Sequence, residues 1–502
     1  MWMRLVTRRK NSTESENWPD SLPTPIARAC DSKKMKTTLL FDLGSTYTKC
    51  AVIALDEARV VGQASSLTTV GSDVSLGVAA AVARAIGGRF NPKDFDLIRA
   101  TSSAAGGLRI VALGLTETMT AHAAQQAALG AGGKVVATYT GKLDEAGMRA
   151  IECHAPDVIL LSGGFDGGDC ATIVHNAQFL ALSRLRCPIV VAGNRDAKDE
   201  IVAILNPRFS ILAVANVLPE PGRLNLVPAR EAIRRVFAEH IVEAKGLHAI
   251  REIVDGDVVP TPSAVLTAAQ LLADGTPHQR GMGELIVVDV GGATTDVHSI
   301  AVGESNRRNV VLELDDEPRV KRTVEGDLGM RVSALTLLEA AGEKMVMTKA
   351  SVGAVHNRDR LREQMMQLSK EVGLVPTDDA TRALDLGLGR SAVALAVERH
   401  VGRLVREAGS SVIIQRGKDL TEVGHVIGTG GVFAHSPDAA QMLDEVVATS
   451  RDTVSLKPRA PKLWVDKSYL LWACGLLAEV DAETAMRVAR QTMTEVESTE
   501  VQ

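Results

Sequence analysis

Two short segments of this chain share a residue pattern that could hold phosphate groups. FDLGSTYTKCAVI (41–53) and VDVGGATTDVHSI (288–300) each run from an apolar strand through Asp, an apolar residue and Gly into small polar residues and a second strand. A tight hairpin at this point lines up backbone N–H groups that can cradle phosphate oxygens. Asp42 and Asp289 lie at the two strand ends, where their carboxylates could hold Mg²⁺ directly or through water.

The residues after the two aspartates supply the rest of such a site. Glycine lets the backbone approach phosphate without a Cβ in the way, and Ser and Thr hydroxyls donate hydrogen bonds. The candidate nucleotide-binding residues are Gly44, Ser45, Thr46, Thr48 and Lys49 in the first segment and Gly291, Gly292, Thr294, Thr295 and Asp296 in the second. Lys49 either neutralises phosphate charge or forms a surface salt bridge. Asp296 either contacts metal or water or caps a turn.

A third glycine motif, IGTGG (427–431), follows later in the chain. A Gly-rich turn near a helix start can pass close to adenosine and its ribose. The residues predicted to do so are Gly428, Thr429, Gly430 and Gly431. One D-x-G-[ST] segment alone is more readily explained as a turn, but two in order followed by this motif favour nucleotide binding.

Two further acids stand in the segment TVEGDLG (323–329), shortly after the second hairpin. Glu325 or Asp327 could orient an attacking water or bind the hydration shell of the metal. The alternative is an exposed acidic turn. Together with Asp42 and Asp289, these two acids form the predicted catalytic set.

The order of elements predicts an α/β fold. Apolar strands alternate with helical patterns such as 74–87 and 117–132, which indicates a mostly parallel sheet covered on both faces. The two Asp-Gly segments lie roughly 250 residues apart, a domain-sized internal repeat that predicts two similar domains. The predicted organisation is a disordered extension (1–35), a first domain with inserted βα units (36–275), a second domain (276–465) and a helical tail (466–502).

Composition argues against several classes of function. The net charge is −5 and aromatic residues make up 3% of the chain, so neither a basic surface nor stacking platforms favour nucleic acid. The six cysteines form no C-x-x-C pair and are predicted to be reduced thiols in the cytoplasm. No apolar run is long enough to span a bilayer. Translation from Met35 is favoured over a targeting role for the first residues.

The three motifs resemble the phosphate-1, phosphate-2 and adenosine motifs of the actin, sugar-kinase and DnaK-type chaperone superfamily. FDLGSTYTK, TSSAAGGLRIVALGLT (101–116), LSGGFDGG (161–168), VVAGN (190–194), VVDVGGATTDVHS, RTVEGDLGMR (322–331) and VIGTGGVF resemble, within it, the glutamate mutase accessory family called GlmL or MutL. The resemblance runs from about 37 to 480. It implies two actin/DnaK-like, ribonuclease H-like domains that hold ATP and Mg²⁺ in the cleft between them.

The same resemblance implies a chaperone or reactivating factor that spends ATP to release damaged cobalamin from an adenosylcobalamin-dependent mutase. Mutase subunits would then be its partners, with assembly into a homo-oligomer left open. Two other activities of the superfamily remain open, a small-molecule kinase and a hydantoinase- or oxoprolinase-like enzyme. An iron–sulfur electron-transfer activator is disfavoured because no cysteine pattern supports a cluster.

Overall fold

The computed structural model describes residues 35–44, 47–67, 74–103, 108–131, 133–241, 250–304, 307, 309–312, 317–350, 358–406, 412–450 and 452–499. The predicted disordered extension, apart from Met35, and the site candidates Ser45 and Thr46 lie outside these residues. None of the helices described is long and apolar enough to cross a membrane.

The first sheet has five strands in the order β10-β4-β1-β2-β3. Its strands are β1 (Thr37–Leu43), β2 (Tyr47–Ala54), β3 (Arg59–Leu67), β4 (Leu97–Ser102) and β10 (Val259–Pro260). Strands β1, β2 and β3 pair antiparallel, whereas β4 pairs parallel with both β1 and β10. The β1–β2 hairpin is the one that the first Asp-Gly segment predicts. Six of the seven residues of β1 are buried because both faces of the sheet are covered.

The second sheet repeats this arrangement. Its order is β14-β12-β11-β17-β18-β19, built from β11 (Leu285–Val290), β12 (Thr295–Ile300), β14 (Val320–Glu325), β17 (His425–Thr429), β18 (Lys462–Asp466) and β19 (Met493–Val496). Strands β14, β12 and β11 pair antiparallel, and β17 pairs parallel with β11 and β18. Apart from the added β19, strand order and direction match the first sheet. The predicted α/β fold with two related halves is therefore confirmed.

Two smaller sheets are inserted into these halves. A fully parallel sheet has the order β6-β5-β7-β8-β9, with β5 (Arg109–Gly114), β6 (Lys134–Thr140), β7 (Val158–Leu161), β8 (Ile189–Val191) and β9 (Ile211–Ala213). This inserted parallel sheet contains the βα units predicted for the first half. A three-stranded sheet, β13-β16-β15, combines β13 (Val310–Leu312), β15 (Arg403–Arg406) and β16 (Ile413–Arg416).

Fifteen described α-helices surround the sheets. They are α1 (Val74–Ile86), α2 (His122–Gly130), α3 (Glu145–Cys153), α4 (Ala171–Leu182), α5 (Lys198–Leu205), α6 (Val227–Ile241), α7 (Thr261–Asp274), α8 (Ala334–Ala341), α9 (Glu343–Lys349), α10 (Arg358–Lys370), α11 (Asp379–His400), α12 (Gly431–His435), α13 (Ala439–Asp444), α14 (Leu471–Ala478) and α15 (Ala482–Thr492). A π-helical turn, Glu117–Ala121, leads into α2, and short 3-10 turns lie at Pro92–Asp94 and Arg195–Ala197.

Carboxylate caps fix where several helices begin. The side chain of Asp144 accepts the N–H of Gly147 at the start of α3. Asp378 and Thr381 form a capping box at the start of α11, and Asp481 caps α15. Each cap satisfies an amide that the first helical turn leaves without an intrahelical acceptor.

One apolar core joins the two main sheets. Leu40 and Ile53 of the first sheet share a buried cluster with Val287 and Ile427 of the second. Helices α7 and α14, each of which follows the last parallel strand of its own half, pack against each other in this cluster. The two halves therefore meet through equivalent elements. The predicted domain boundaries at 275 and 465 stay a prediction.

Several elements differ from the sequence-based expectation. The tail was expected to be helical throughout, yet Met493–Val496 add a strand to the second sheet. Strands β5 and β18 were not predicted. Their short apolar runs fit a buried helix as well as a strand, and periodicity cannot separate the two.

The helix contact in the shared core gives a stability prediction. A Cβ placed on Gly475 of α14 would lie 1.8 Å from the carbonyl oxygen of Ala264 in α7. We expect Gly475→Ala to lower the free energy of unfolding by about 1–3 kcal/mol, because the two backbones must move apart. Urea denaturation measures this change.

Gly424→Ala is the matched control, because a Cβ there meets nothing within 4 Å and the backbone angle is ordinary. Its effect should stay within about 0.5 kcal/mol. Equal midpoints for the two variants would contradict the close packing of α7 on α14.

Candidate functional site

The two predicted phosphate hairpins have the same geometry. The N–H of Gly44 donates to the carbonyl of Tyr47 at 3.1 Å, and the N–H of Gly291 donates to that of Thr294 at 2.9 Å. Each bond closes the hairpin turn directly after the aspartate-bearing strand. The turns therefore leave Asp42 at the end of β1 and Asp289 at the end of β11.

Strand pairing extends the equivalence to the neighbours of each aspartate. Asp42 lies opposite Lys49 on β2, and Asp289 lies opposite Asp296 on β12. On the parallel side, Asp42 pairs with Thr101 and Asp289 pairs with Thr429. Asp and Thr thus recur at the same places in both halves, whereas lysine in the first half is replaced by aspartate in the second.

Asp42 is buried, and both of its carboxylate oxygens accept hydrogen bonds. Its Oδ1 accepts the hydroxyls of Thr101 at 3.0 Å and Thr261 at 2.6 Å, and its Oδ2 accepts Lys49 Nζ at 2.9 Å. The ammonium of Lys49 also lies 4.1 Å from the ring centroid of Tyr469, a cation–π distance. Of the two roles considered for Lys49, the salt bridge does form, but its carboxylate is only 1% exposed and so does not lie at the surface.

The protonation of this cluster follows from burial and pairing. Burial by itself lowers the pKa of Lys49, but Asp42 and Tyr469 together outweigh it and hold the pKa above its ordinary value. Burial raises the pKa of Tyr469 to about 12, even though Lys49 acts in the opposite direction. The ammonium of Lys49 is therefore charged and the phenol of Tyr469 neutral at physiological pH. Tyr469 has φ 51°, a left-handed conformation that is rare for a bulky residue.

Asp289 lies among other acids. Burial, and after it the carboxylate of Asp296, raise its pKa to about 7. Lys49 lowers the pKa, but Asp42 and Asp466 add smaller increases. The raised pKa of Asp289 therefore reflects burial and neighbouring carboxylates that Lys49 only partly offsets.

The third glycine motif lies directly against Asp289. Strand β17 ends at Thr429, and α12 begins at Gly431. Gly430 between them has φ 98°, and a Cβ there would lie 2.6 Å from Oδ1 of Asp289. Only glycine allows this turn to touch the aspartate. Gly428 forms part of β17, where it pairs with Val288.

The hydroxyls of the predicted site point in different directions. Thr429 donates to Asp466 Oδ2 at 2.9 Å, and Thr295 donates to the carbonyl of Leu328 at 2.8 Å. Thr294 donates to Asp296 Oδ2 at 3.1 Å. Thr48 is buried within β2. A Cβ placed on Gly292 would lie 3.4 Å from the Cβ of Arg331.

Asp296 is held by a buried arginine. Arg322 Nη2 and Nε donate to Asp296 Oδ1 at 2.6 and 3.1 Å, and both side chains are less than a tenth exposed. Asp296 therefore bridges Thr294 of the hairpin and Arg322 of β14.

Arg399 binds both acids of the TVEGDLG segment. It donates to both oxygens of Asp327 at 2.8 and 2.9 Å and to Glu325 Oε2 at 2.5 Å. Arg399 lowers the pKa of Asp327. Burial raises the pKa of Glu325 despite the same arginine. Glu325 ends β14 opposite Thr295 of the second hairpin.

Several residues near the hairpins escaped the sequence-based reasoning. They are Thr101, Thr261, Arg322, Arg399, Asp466 and Tyr469. A signal did exist for Asp466, because KLWVD (462–466) is an apolar run that ends in Asp like the two recognised strands. Its carboxylate accepts the N–H groups of Leu470 and Leu471 at the start of α14. The remaining residues come from strands and helices whose proximity only the fold reveals.

The charge balance suits a divalent cation. The acids around the two hairpins are Asp42, Asp289, Asp296 and Asp466, and the paired cations are Lys49 and Arg322. Across the described residues, no group of three or more His, Cys, Asp or Glu side chains is arranged to hold a metal. Mg²⁺ commonly needs only one or two carboxylates, with waters and phosphate oxygens completing its coordination. Asp289 fits this role, whereas Asp42 already accepts three hydrogen bonds, one of them from the Lys49 ammonium.

Comparisons with known proteins give one family. The family model described as MutL protein matches residues 38–493. Protein MutL of Clostridium tetanomorphum is 40% identical over 467 residues, which cover 92% of this chain and all of that protein.

Among solved structures, nucleotide-free acetone carboxylase is similar at 12% identity, with 88% of this chain and 70% of that one covered and a TM-score of 0.39. Gluconate kinase from Lactobacillus acidophilus is similar at 10% identity, with 92% and 93% covered and a TM-score of 0.32.

The ion pair beneath the first hairpin gives a second prediction. Lys49→Met removes the ammonium and leaves Asp42 charged and buried, which we expect to cost about 3–5 kcal/mol of unfolding free energy. The double variant Asp42→Asn/Lys49→Met should recover much of this loss, because no unpaired charge remains. A double-mutant cycle by urea denaturation measures the coupling.

Lys462→Met serves as the control, since Lys462 is 60% exposed in its ion pair with Glu495. It should cost at most about 1 kcal/mol. Additive effects of the Asp42 and Lys49 changes would show that the two side chains are not coupled.

Proposed function

Because this chain belongs to the MutL protein family, we propose that it binds Mg²⁺-ATP between its two hairpins and hydrolyses it to reactivate an adenosylcobalamin-dependent mutase. The observation that carries the nucleotide part is the duplicated hairpin. Two sheets of the same strand order each end a central strand in Asp-x-Gly, and the two aspartates share Lys49 as a neighbouring cation. Such an arrangement can hold a polyphosphate from both sides.

Each half of the chain would contribute different groups to nucleotide binding. Backbone N–H groups around Gly44, Gly291 and Gly292 would donate to phosphate oxygens. Asp289 would hold the metal, and Lys49, kept charged by Asp42, would offset phosphate charge from the other hairpin. A bound Mg²⁺ would supply positive charge next to the phosphate groups, and Asp289 would be the residue that holds it there. The turn at Gly428 to Gly431 would lie along the nucleoside.

Glu325 would orient the attacking water. Its raised pKa marks a carboxylate shielded from solvent, and its place at the end of β14 lies beside the second hairpin. Asp327 is bound through both oxygens by Arg399, so its role would be to fix that arginine. Arg399 in turn would set the orientation of Glu325.

The mutase client is inferred from the family resemblance and the similarity to Protein MutL. A mutase that has lost the adenosyl group of its cofactor retains an inactive cobalamin. An accessory protein can release it only by binding the open mutase more tightly than the closed one. ATP hydrolysis would then end that tight binding and free both proteins.

The role of Asp289 can be tested by a near-isosteric change. We expect Asp289→Asn to lower turnover of Mg²⁺-ATP by about 100-fold or more, because an amide is a poor metal ligand and cannot offset its charge. Phosphate release gives the rate, and circular dichroism checks the fold. Asp274→Asn, which alters a half-exposed carboxylate paired with Arg319, is the control and should turn over normally. Normal turnover by Asp289→Asn would remove Asp289 from the metal site.

The accessory role needs a client assay. A cobalamin mutase inactivated with hydroxocobalamin is incubated with this protein and Mg²⁺-ATP, and its activity is followed after fresh adenosylcobalamin is added. We expect recovery only when both the protein and ATP are present. The Asp289→Asn variant should give none. Turnover of ATP without recovery across several mutases would refute the client and favour a kinase, for which substrate screening would follow.

A further inference from the structure

Arg322 connects the second hairpin to the inserted parallel sheet. It lies on β14 and is 3% exposed. One side of its guanidinium binds Asp296 through Nη2 and Nε. The other side donates through Nη1 to the carbonyls of Leu129 at 2.7 Å and Gly133 at 3.2 Å. Leu129 lies in the last turn of α2, the helix that joins β5 to β6 in the inserted parallel sheet, and Gly133 directly precedes β6.

The chain of contacts begins at the predicted phosphate site. Thr294 of the hairpin donates to Asp296 Oδ2, and Arg322 occupies Oδ1 of the same carboxylate. Four groups thus follow one another without a gap, from the Thr294 hydroxyl through Asp296 and Arg322 to the carbonyl of Leu129. The last carbonyls of a helix lack intrahelical donors and carry partial negative charge, so a guanidinium is a well-matched group for them.

A second contact runs beside the first. A Cβ on Gly326 would lie 2.6 Å from Lys134 Nζ, so this lysine of β6 rests directly on the glycine between Glu325 and Asp327. Leu129 and Gly133 therefore connect to the phosphate hairpin through Arg322, and Lys134 contacts the acidic turn. Described residues of the inserted parallel sheet reach the site in two places through the segment 129–134.

We propose that Arg322 is a positioning residue that couples the second phosphate hairpin to the inserted parallel sheet, so that nucleotide binding stabilises the end of α2 and the start of β6. The inference rests on the proposed function, since it takes the hairpin to be the nucleotide site. The planar fork of arginine suits the role because it can donate in two directions at once, which a single ammonium cannot do with the same geometry. The inserted parallel sheet would then respond to the nucleotide state.

Hydrogen–deuterium exchange on the full chain tests this coupling. Exchange is measured with no nucleotide, with Mg²⁺-ADP and with a non-hydrolysable Mg²⁺-ATP analogue. In the natural protein, the analogue should slow exchange in the hairpins (37–54 and 285–300) and also in the segment 122–140. In Arg322→Lys the hairpins should still be protected, while the nucleotide-dependent change in 122–140 shrinks by about fivefold or more.

Arg390→Lys is the matched control, because Arg390 forms a comparably buried ion pair with Glu445 in the second half. It should keep the response of 122–140. Arg322→Met is a second variant that removes the charge and should lose the response as well; if it does not fold, Arg322→Lys decides.

The outcomes separate the two levels of inference. Protected hairpins with no response of 122–140 in the natural protein, or an unchanged response in Arg322→Lys, would overturn the coupling alone. Absence of hairpin protection by any nucleotide in the natural protein would overturn the nucleotide site and the coupling with it. Loss of the response in Arg390→Lys as well would reduce Arg322 to an ordinary structural ion pair.

Discussion

An excess of buried negative charge where two equivalent sheets meet constrains the rest of this structure. Each half ends a central strand in aspartate, and the shared apolar core brings the two ends close together. Charges removed from water need nearby opposite charges or hydrogen bonds. Asp42 has both, from Lys49 and two threonines. Among the residues that the structure describes, Asp289 has no such set of hydrogen bonds, and its pKa is raised. The fold thus maintains an acidic position that a bound cation would relieve.

The two halves differ in the charge of the residue that faces each aspartate. The positions opposite the two aspartates hold Lys49 in one half and Asp296 in the other. Like charges facing across an antiparallel pair destabilise a sheet, so the second half needs a further cation. Arg322 on the adjacent strand supplies it and in doing so reaches the inserted parallel sheet. The arginine that neutralises Asp296 therefore also connects the inserted parallel sheet to the second hairpin.

Much of this arrangement could be predicted from the sequence. The paired Asp-x-Gly segments are local, so turn geometry and strand periodicity were enough to indicate both hairpins and two related α/β halves. Lys49 and Asp296 were recognised as candidates, but the ion pairs that they form with Asp42 and Arg322 were not predicted. Thr261, Arg322 and Arg399 lie far along the chain from the groups they bind, and no local pattern marks them. Strands β5 and β18 were missed because short apolar runs also suit buried helices.

Tyr469 illustrates why such residues lie beyond sequence reasoning. Its ring faces Lys49 from the other half of the molecule, and its left-handed backbone follows the strand that ends at Asp466. Neither half fixes this position alone, since the lysine belongs to the first sheet and the tyrosine to the turn after the second. A strained residue persists only where its surroundings hold it. Here the hydrogen bonds of Asp466 to the start of α14 hold the turn, and α14 itself is fixed by its contact with α7. The packing that joins the halves thereby also shapes the contacts of the lysine between them.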